Sequence, residues 1–204
     1  SGRIRLNLFA YPLKLLAVTK QFTPDVIIAS SDCLHIALGQ WIAAKTKSTF
    51  VADLYDDYET FGLSKILGVK QTYRKALRKA SIISCVSEHL AEHIRSEYKT
   101  NAVVISLPST INGEIFFPRS KTEARKKFRI DPNAIIVGTA GGLTPDKGID
   151  IVYEAFLQLA KTNENIQFLL AGPHPSNFPP PKNPNIHYIG CLKHTDVADF
   201  FCSL

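Results

Sequence analysis

Residues 134–156 read AIIVGTAGGLTPDKGIDIVYEAF, and their order sets the architecture of the chain. Ala134–Val137 is a short apolar, β-branched run of the kind found in buried parallel strands. Gly138, Gly141 and Gly142 follow as a glycine-rich loop. Beyond Lys147-Gly148, apolar residues recur at Ile149, Val152, Phe156 and Leu159, which is one face of a helix. Strand, glycine loop, lysine and helix start is how an α/β protein builds an anion site. Bare backbone N–H groups and the positive end of the helix dipole face the ligand, and the lysine adds a full charge. The same residues would equally serve a tight strand-to-helix turn that needs glycine. The stretch matches neither the dinucleotide fingerprint GxGxxG nor a Walker loop, so its neighbours must decide.

Working outward, strands and helices alternate. Upstream, residues 5–21 have helical spacing (Leu6, Leu8, Phe9, Leu13, Leu16, Val18), and Thr23-Pro24 stops them. Strands are expected at 25–30, 49–54, 82–86 and 102–107, with helices at 34–44, 71–79 and 88–98, the last capped by Ser87. Residues 108–120 (PSTINGEIFFPRS) are turn-rich and interrupt the alternation. They place a domain boundary there, giving units 1–118 and 119–204. The second unit continues with a short basic helix at 121–128, the opening stretch, a strand at 166–171 ending in Gly172-Pro173-His174-Pro175, a strand at 186–189 with Gly190, and a last helix from Thr195. This order predicts an α/β protein: two Rossmann-like, doubly wound units with parallel sheets covered on both faces, opposed across a cleft. Ligands in such sheets bind beyond the carboxyl ends of the strands, and Gly141, Gly172 and Gly190 all fall there.

Composition narrows the function classes. The chain has 204 residues, 45% hydrophobic and 21% charged, with a net charge of +6. No apolar run reaches the length of a membrane span, and there is no signal-peptide pattern. Cys33, Cys85, Cys191 and Cys202 are scattered without a CxxC pair, and read as reduced core thiols of a cytoplasmic protein. The basic excess, +4 in residues 1–118 and +2 in 119–204, suits anionic ligands or an anionic membrane surface and is too dilute for nucleic acid. The chain contains no Met and stops inside an apolar helical pattern at Phe200-Phe201-Cys202-Ser203-Leu204, so it reads as a fragment.

With these segments in order, the chain resembles glycosyltransferase family 4, whose members have the two-domain GT-B fold. IIVGTAGGLTPDKGIDIVYEAF is similar to the family's strand, G-R/G-L, spacer, K-G and helix. FLLAGPHP and NIHYIGCLKHTDVADFF resemble its next two segments. PDVIIASS, ASIISCVSEHLAEHI and VVISLPSTINGEIFFP resemble segments of its first half. The resemblance implies transfer of a sugar from a nucleotide-sugar donor to an acceptor hydroxyl on a glycan or lipid-linked acceptor, with retention and without a metal or other cofactor. The acceptor side would be 1–118 and the nucleotide-sugar side 119–204, both incomplete. Gly141, Gly142, Lys147 and Gly148 correspond to the donor diphosphate loop, and Gly172, Pro173 and His174 to the nucleotide loop. Two departures stand out. Gly142 occupies a position where the family commonly has Arg, and Ala52-Asp53 replaces a His-Asp pair. The family's glycine-rich N-terminal loop would lie before residue 1, and its paired glutamates after Leu204.

Other candidates remain open. Asp53, Asp56, Asp57 and Glu59 form an acidic loop. Asp53, closing a strand, has the best claim to a catalytic or sugar-binding role, against a solvated surface loop. His89 and His93 have i, i+4 spacing but no HExxH, and their acidic neighbours indicate a wet helix face more than a metal site. Lys65, Lys70, Arg74, Lys75, Arg78 and Lys79, interleaved with Ile66, Leu67, Tyr73 and Leu77, read as a solvated face or as a patch for anionic lipid at the inner membrane face. Rival readings are a degenerate GT-B module that binds without turnover, and another phosphate-binding doubly wound protein such as a sugar epimerase.

Overall fold

The computed structural model describes residues 2–60, 62–163 and 165–204, with side chains from residue 10 onward. The apolar positions Leu6, Leu8 and Phe9 therefore lie outside the described side chains. The chain forms two compact units, Ser1–Thr110 and Ile111–Leu204. The segment 111–118, expected with the first unit, packs on the second. The Phe116 ring meets His194 edge-on at 5.1 Å. The Arg119 amide donates to Cys202 Sγ (3.3 Å), and its guanidinium donates to Asp199 Oδ1 (2.6 Å).

In the first unit α1 (Gly2–Phe22), β1 (Val26–Ala29), α2 (Cys33–Thr46), β2 (Thr49–Leu54), α3 (Val69–Leu77), β3 (Ile82–Cys85), α4 (Glu88–Glu97) and β4 (Val103–Ser106) follow one another. Among the described residues the four strands form a parallel sheet in sequence order. Helix starts follow local chemistry. Asp32 accepts from the amides of Leu34 and His35 at the head of α2, and Ser87 caps α4 through the Leu90 amide.

One face of this sheet is buried. Ala29, Ala52, Ile83 and Val104 lie in register across it and pack against Ile36, Tyr73, Leu77 and Ile94 of the helices. Each fully buried large side chain there contributes roughly 1.5–3 kcal/mol. The opposite row, Ile28, Val51, Ile82 and Val103, is open: Ile28 is 68% and Val103 62% exposed. The expectation that both faces are covered fails here. Strand alternation in sequence reports that two faces exist, but the helices α2, α3 and α4 all contribute to one core.

The second unit contains α5 (Lys121–Lys127), β5 (Ile135–Ala140), α6 (Ile149–Thr162), β6 (Ile166–Ala171), β7 (Ile186–Tyr188) and α7 (His194–Ser203). Its three parallel strands run β5-β6-β7. Here both faces are packed. Phe156 of α6 stacks on Phe168 at 4.1 Å between centroids, and Phe200 of α7 joins Ile136, Leu169 and Ala171 on the other side. Strand β5 runs three residues beyond Val137, so Gly138 is a strand residue and not part of the loop. A Cβ at position 138 would stand 2.8 Å from the Leu169 carbonyl oxygen and 2.7 Å from Leu204 Cδ2. Close packing, not a turn, requires glycine at this position.

Candidate functional site

The carboxyl ends of β5, β6 and β7 converge, and the loops leaving them are tied together largely by main-chain hydrogen bonds. The Gly141 amide donates to the Ala171 carbonyl (3.0 Å), the Leu143 amide to the Pro173 carbonyl (2.8 Å) and the Gly172 amide to the Gly190 carbonyl (2.9 Å). The Tyr188 hydroxyl adds a bond to the Gly172 carbonyl (2.9 Å). Gly172 has φ +128°, and a Cβ there would fall 1.8 Å from the Gly141 carbonyl oxygen. Only glycine allows these loops to approach this closely.

Gly141, Gly172 and Pro173 line a cleft of about 180 Å³ with Ala140, Ala171, Cys191, Leu192 and Val197. Gly142, Lys147, Gly148 and His174 lie outside that lining. Lys147 closes a short 3-10 turn, Pro145–Lys147, in which its amide donates to the Thr144 carbonyl (2.9 Å). Its side chain is exposed. Gly148 then turns the chain into α6, whose N-terminus receives no side-chain cap. The first-turn amides of Asp150 and Ile151 are the orphan donors that any helix start presents. Asp146 and Asp150 flank Lys147 in sequence, so an incoming anion meets mixed charge at this corner. His174 is tied down locally: its Nδ1–H donates to the Pro175 carbonyl (2.9 Å), and its ring meets Tyr188 edge-on at 5.2 Å.

In the first unit, Asp53 is half-buried at the end of β2. Its Oδ1 accepts from the Ser84 hydroxyl at 2.6 Å. A hydrogen bond to Asp53 and the charge of that carboxylate raise the pKa of the Tyr55 phenol. Asp53 and Tyr55 line an open cleft of about 440 Å³ with Val86, Leu107, Pro108, Ser109 and Thr110. Ala52, noted as replacing a histidine, is 0% exposed and lies in the core. A side chain at that position faces the helices and away from the cleft.

The acidic loop is not uniformly solvated. Glu59 is only 9% exposed and accepts from Arg74 Nε and Nη2, both at 2.7 Å. Burial acts to raise its pKa, but the hydrogen bonds from Arg74 and Tyr98 outweigh this and hold it below the ordinary glutamate value of 4.5. The sequence offered no sign of this clamp, whose partners are far apart along the chain. Because the folded pKa is depressed, the stability gained is complete above about pH 4.5 and is lost as pH falls through the folded value. Arg74→Gln should cost about 2 kcal/mol at pH 7 and flatten acid denaturation as pH falls below the ordinary glutamate value of 4.5. Urea titrations at several pH values would reveal an unchanged slope if the pair were inert.

Among the described residues no cluster of three or more His, Cys, Asp or Glu is placed to hold a metal. His89 is exposed, and His93 packs on Tyr98 at 5.9 Å. No described helix is long and apolar enough to cross a membrane. Cys33 and Cys85 are buried thiols pushed up to about 11 by burial. Cys191 is exposed and lines the cleft, contrary to the expectation that all four cysteines are core residues.

The architecture places the chain in the GT-B fold class. It overlays on sucrose-phosphate synthase from Thermosynechococcus elongatus with a TM-score of 0.71 at 13% identity, covering 95% of this chain and 52% of that one. HepE of Anabaena, solved with UDP-glucose, gives 0.71 at 16% identity, covering 97% and 56%. A UDP-GlcNAc 2-epimerase from Neisseria meningitidis bound to UDP-GlcNAc gives 0.54 at 16% identity, covering 92% and 54%. No family model matches.

Two curated relatives are glycosyltransferases. The GPI3 subunit of phosphatidylinositol N-acetylglucosaminyltransferase from Saccharomyces cerevisiae is 22% identical over 160 residues, covering 73% of this chain and 35% of its own length. A GDP-mannose-dependent monoacylated alpha-(1-6)-phosphatidylinositol monomannoside mannosyltransferase from Corynebacterium glutamicum is 24% identical over 114 residues, covering 54% and 30%. The chain thus spans about a third of the curated relatives it matches.

Proposed function

We propose that this chain is part of a glycosyltransferase that moves a sugar from a nucleotide-sugar donor to an acceptor hydroxyl. The observation that carries this reading is the glycine rim of the second unit, beside the uncapped start of α6 and Lys147. A nucleoside diphosphate is the leaving group in such a transfer. Lys147 and the α6 amides would stabilise its developing charge, work that a divalent cation does elsewhere. Transfer would then need no metal and, by the family resemblance, would retain the donor's anomeric configuration. Gly141, Gly142 and Gly148 would let the backbone approach the diphosphate, and Gly172, Pro173 and His174 would border the nucleoside. In the first unit Asp53, oriented by Ser84, would accept a hydrogen bond from a sugar or acceptor hydroxyl. The phosphatidylinositol-linked substrates in the names of both curated relatives support a lipid-linked acceptor. The better overlay on sucrose-phosphate synthase and HepE than on the epimerase favours transfer over epimerisation.

Thermal-shift and donor-hydrolysis measurements with UDP-, GDP- and ADP-sugars on the full-length protein, with and without EDTA, test the reading. Stabilisation by one donor with EDTA present is expected, and a response to none would overturn it. Position 142 supplies a second test. A side chain there meets open space, and the backbone is not left-handed. Gly142→Arg should therefore fold normally and tighten diphosphate binding by about tenfold, one charged hydrogen bond's worth. If donor binding tightens while turnover stays absent, the binding-module alternative gains.

A further inference from the structure

Residues 62–79 (GLSKILGVKQTYRKALRK) hold six of the chain's 24 basic residues and none of its 18 acidic ones, so the rest of the sequence is electrically balanced. The whole net charge sits on one short segment. The segment has a fixed shape. A 3-10 turn (Gly62–Lys65) runs into a second tight turn, where the Ile66 amide donates to the Leu63 carbonyl (3.1 Å) and the Val69 amide to the Ile66 carbonyl (3.2 Å). Gly68, with φ +84°, then opens α3. Val69, Tyr73, Ala76 and Leu77 anchor that helix in the core. At the tip Leu67 is 96% exposed and Ile66 53%, with Leu63 beside them. Of the six cations only Arg74 is committed to an ion pair among the described residues. Lys65 and Lys70 are exposed on either side of the apolar tip in sequence, and Lys75, Arg78 and Lys79 are exposed further along and just past α3.

We propose that the Leu63–Leu67 turn is a wedge that enters the interfacial layer of an anionic lipid bilayer while Lys65, Lys70, Lys75, Arg78 and Lys79 engage the headgroups. An apolar projection costs free energy in water and recovers it only in an apolar phase. A segment with six cations, of which Glu59 engages Arg74, and no acid of its own favours a negatively charged phase. An acidic protein or a soluble polyanion would satisfy the charges but leave Leu67 in water. The surface lies in the first unit and uses none of the residues assigned to the donor, so it stands or falls separately from the transferase reading.

The test is co-sedimentation of the 204-residue chain with vesicles of phosphatidylcholine alone or of phosphatidylcholine and phosphatidylinositol, at physiological salt and without any nucleotide. Binding to the anionic vesicles alone is expected. Leu67→Gln should weaken it about tenfold, and each of Lys70→Gln and Lys75→Gln about fivefold. These positions are exposed, so the variants should keep the wild-type unfolding midpoint, checked by circular dichroism. In Leu67→Trp the introduced indole should shift its emission to the blue on anionic vesicles if the tip leaves water. Equal binding to both vesicle types, no binding, or binding indifferent to Leu67→Gln would overturn the proposal. So would equally tight binding to heparin with no blue shift for the Leu67→Trp variant on vesicles, which would mark a plain polyanion patch.

Discussion

Replacing Gly172 with alanine should lower the stability of the second unit by about 4 kcal/mol, because two costs add. An alanine at φ +128° carries backbone strain of roughly 1–3 kcal/mol. Its methyl group would also overlap the Gly141 carbonyl, 1.8 Å from the oxygen, and moving a packed loop aside costs about 1–3 kcal/mol. The neighbouring Gly142 provides the internal control. Its Cβ would meet nothing within 4 Å, so Gly142→Ala should change stability by less than about 0.5 kcal/mol. For a domain of this size the Gly172 variant should melt about 20 °C lower. Differential scanning calorimetry would show two units, with the second one displaced. Equal behaviour of the two variants would mean that the rim is not held by the close approach described.

Lys147→Ala carries the largest expected effect on binding. The side chain is exposed at the end of a 3-10 turn, so folding should be unaffected. Affinity for a nucleoside diphosphate should fall by about 1.5–3 kcal/mol, the range for a hydrogen bond to a charged group, or roughly 10–150-fold. Lys147→Arg should recover most of it. The wild-type affinity should also weaken with salt more steeply than that of the alanine variant, because an exposed cation is screened. Isothermal titration of UDP and GDP into the full-length protein decides the matter. Unchanged affinity for both would remove Lys147 from the donor site.

The strands, the helices and the positions of Gly141, Gly172 and Gly190 at strand ends were all readable from hydrophobic period and turn residues. These are local signals, and local signals survive in a single sequence. What the chain concealed was non-local. Gly138 looked like a loop residue because nothing near it in sequence announces Leu169 and Leu204. Glu59 looked like one more surface acid because its partner, Arg74, lies in the basic segment. Alternation predicted two covered faces for the first sheet, yet Ile28 and Val103 stand open, since the side on which a helix packs is a property of crossovers and not of periodicity. Sequence order put Gly141, Gly172 and Gly190 just past strand ends, and main-chain bonds tie the loops that carry them together. It could not reveal that His174 is held by Pro175 and Tyr188, or that Cys191 joins the lining.

The rim of the second unit is held almost wholly by peptide groups. Peptide groups are the same in every protein, so a site made of them leaves few marks in the residues that carry it. Apart from Gly172, which must lack a side chain, the bonds that close the rim ask little of the side chains around it, because main-chain donors and acceptors make most of them. Two chains can then agree at only 13% of their positions, as this one and sucrose-phosphate synthase do, and still overlay as one fold.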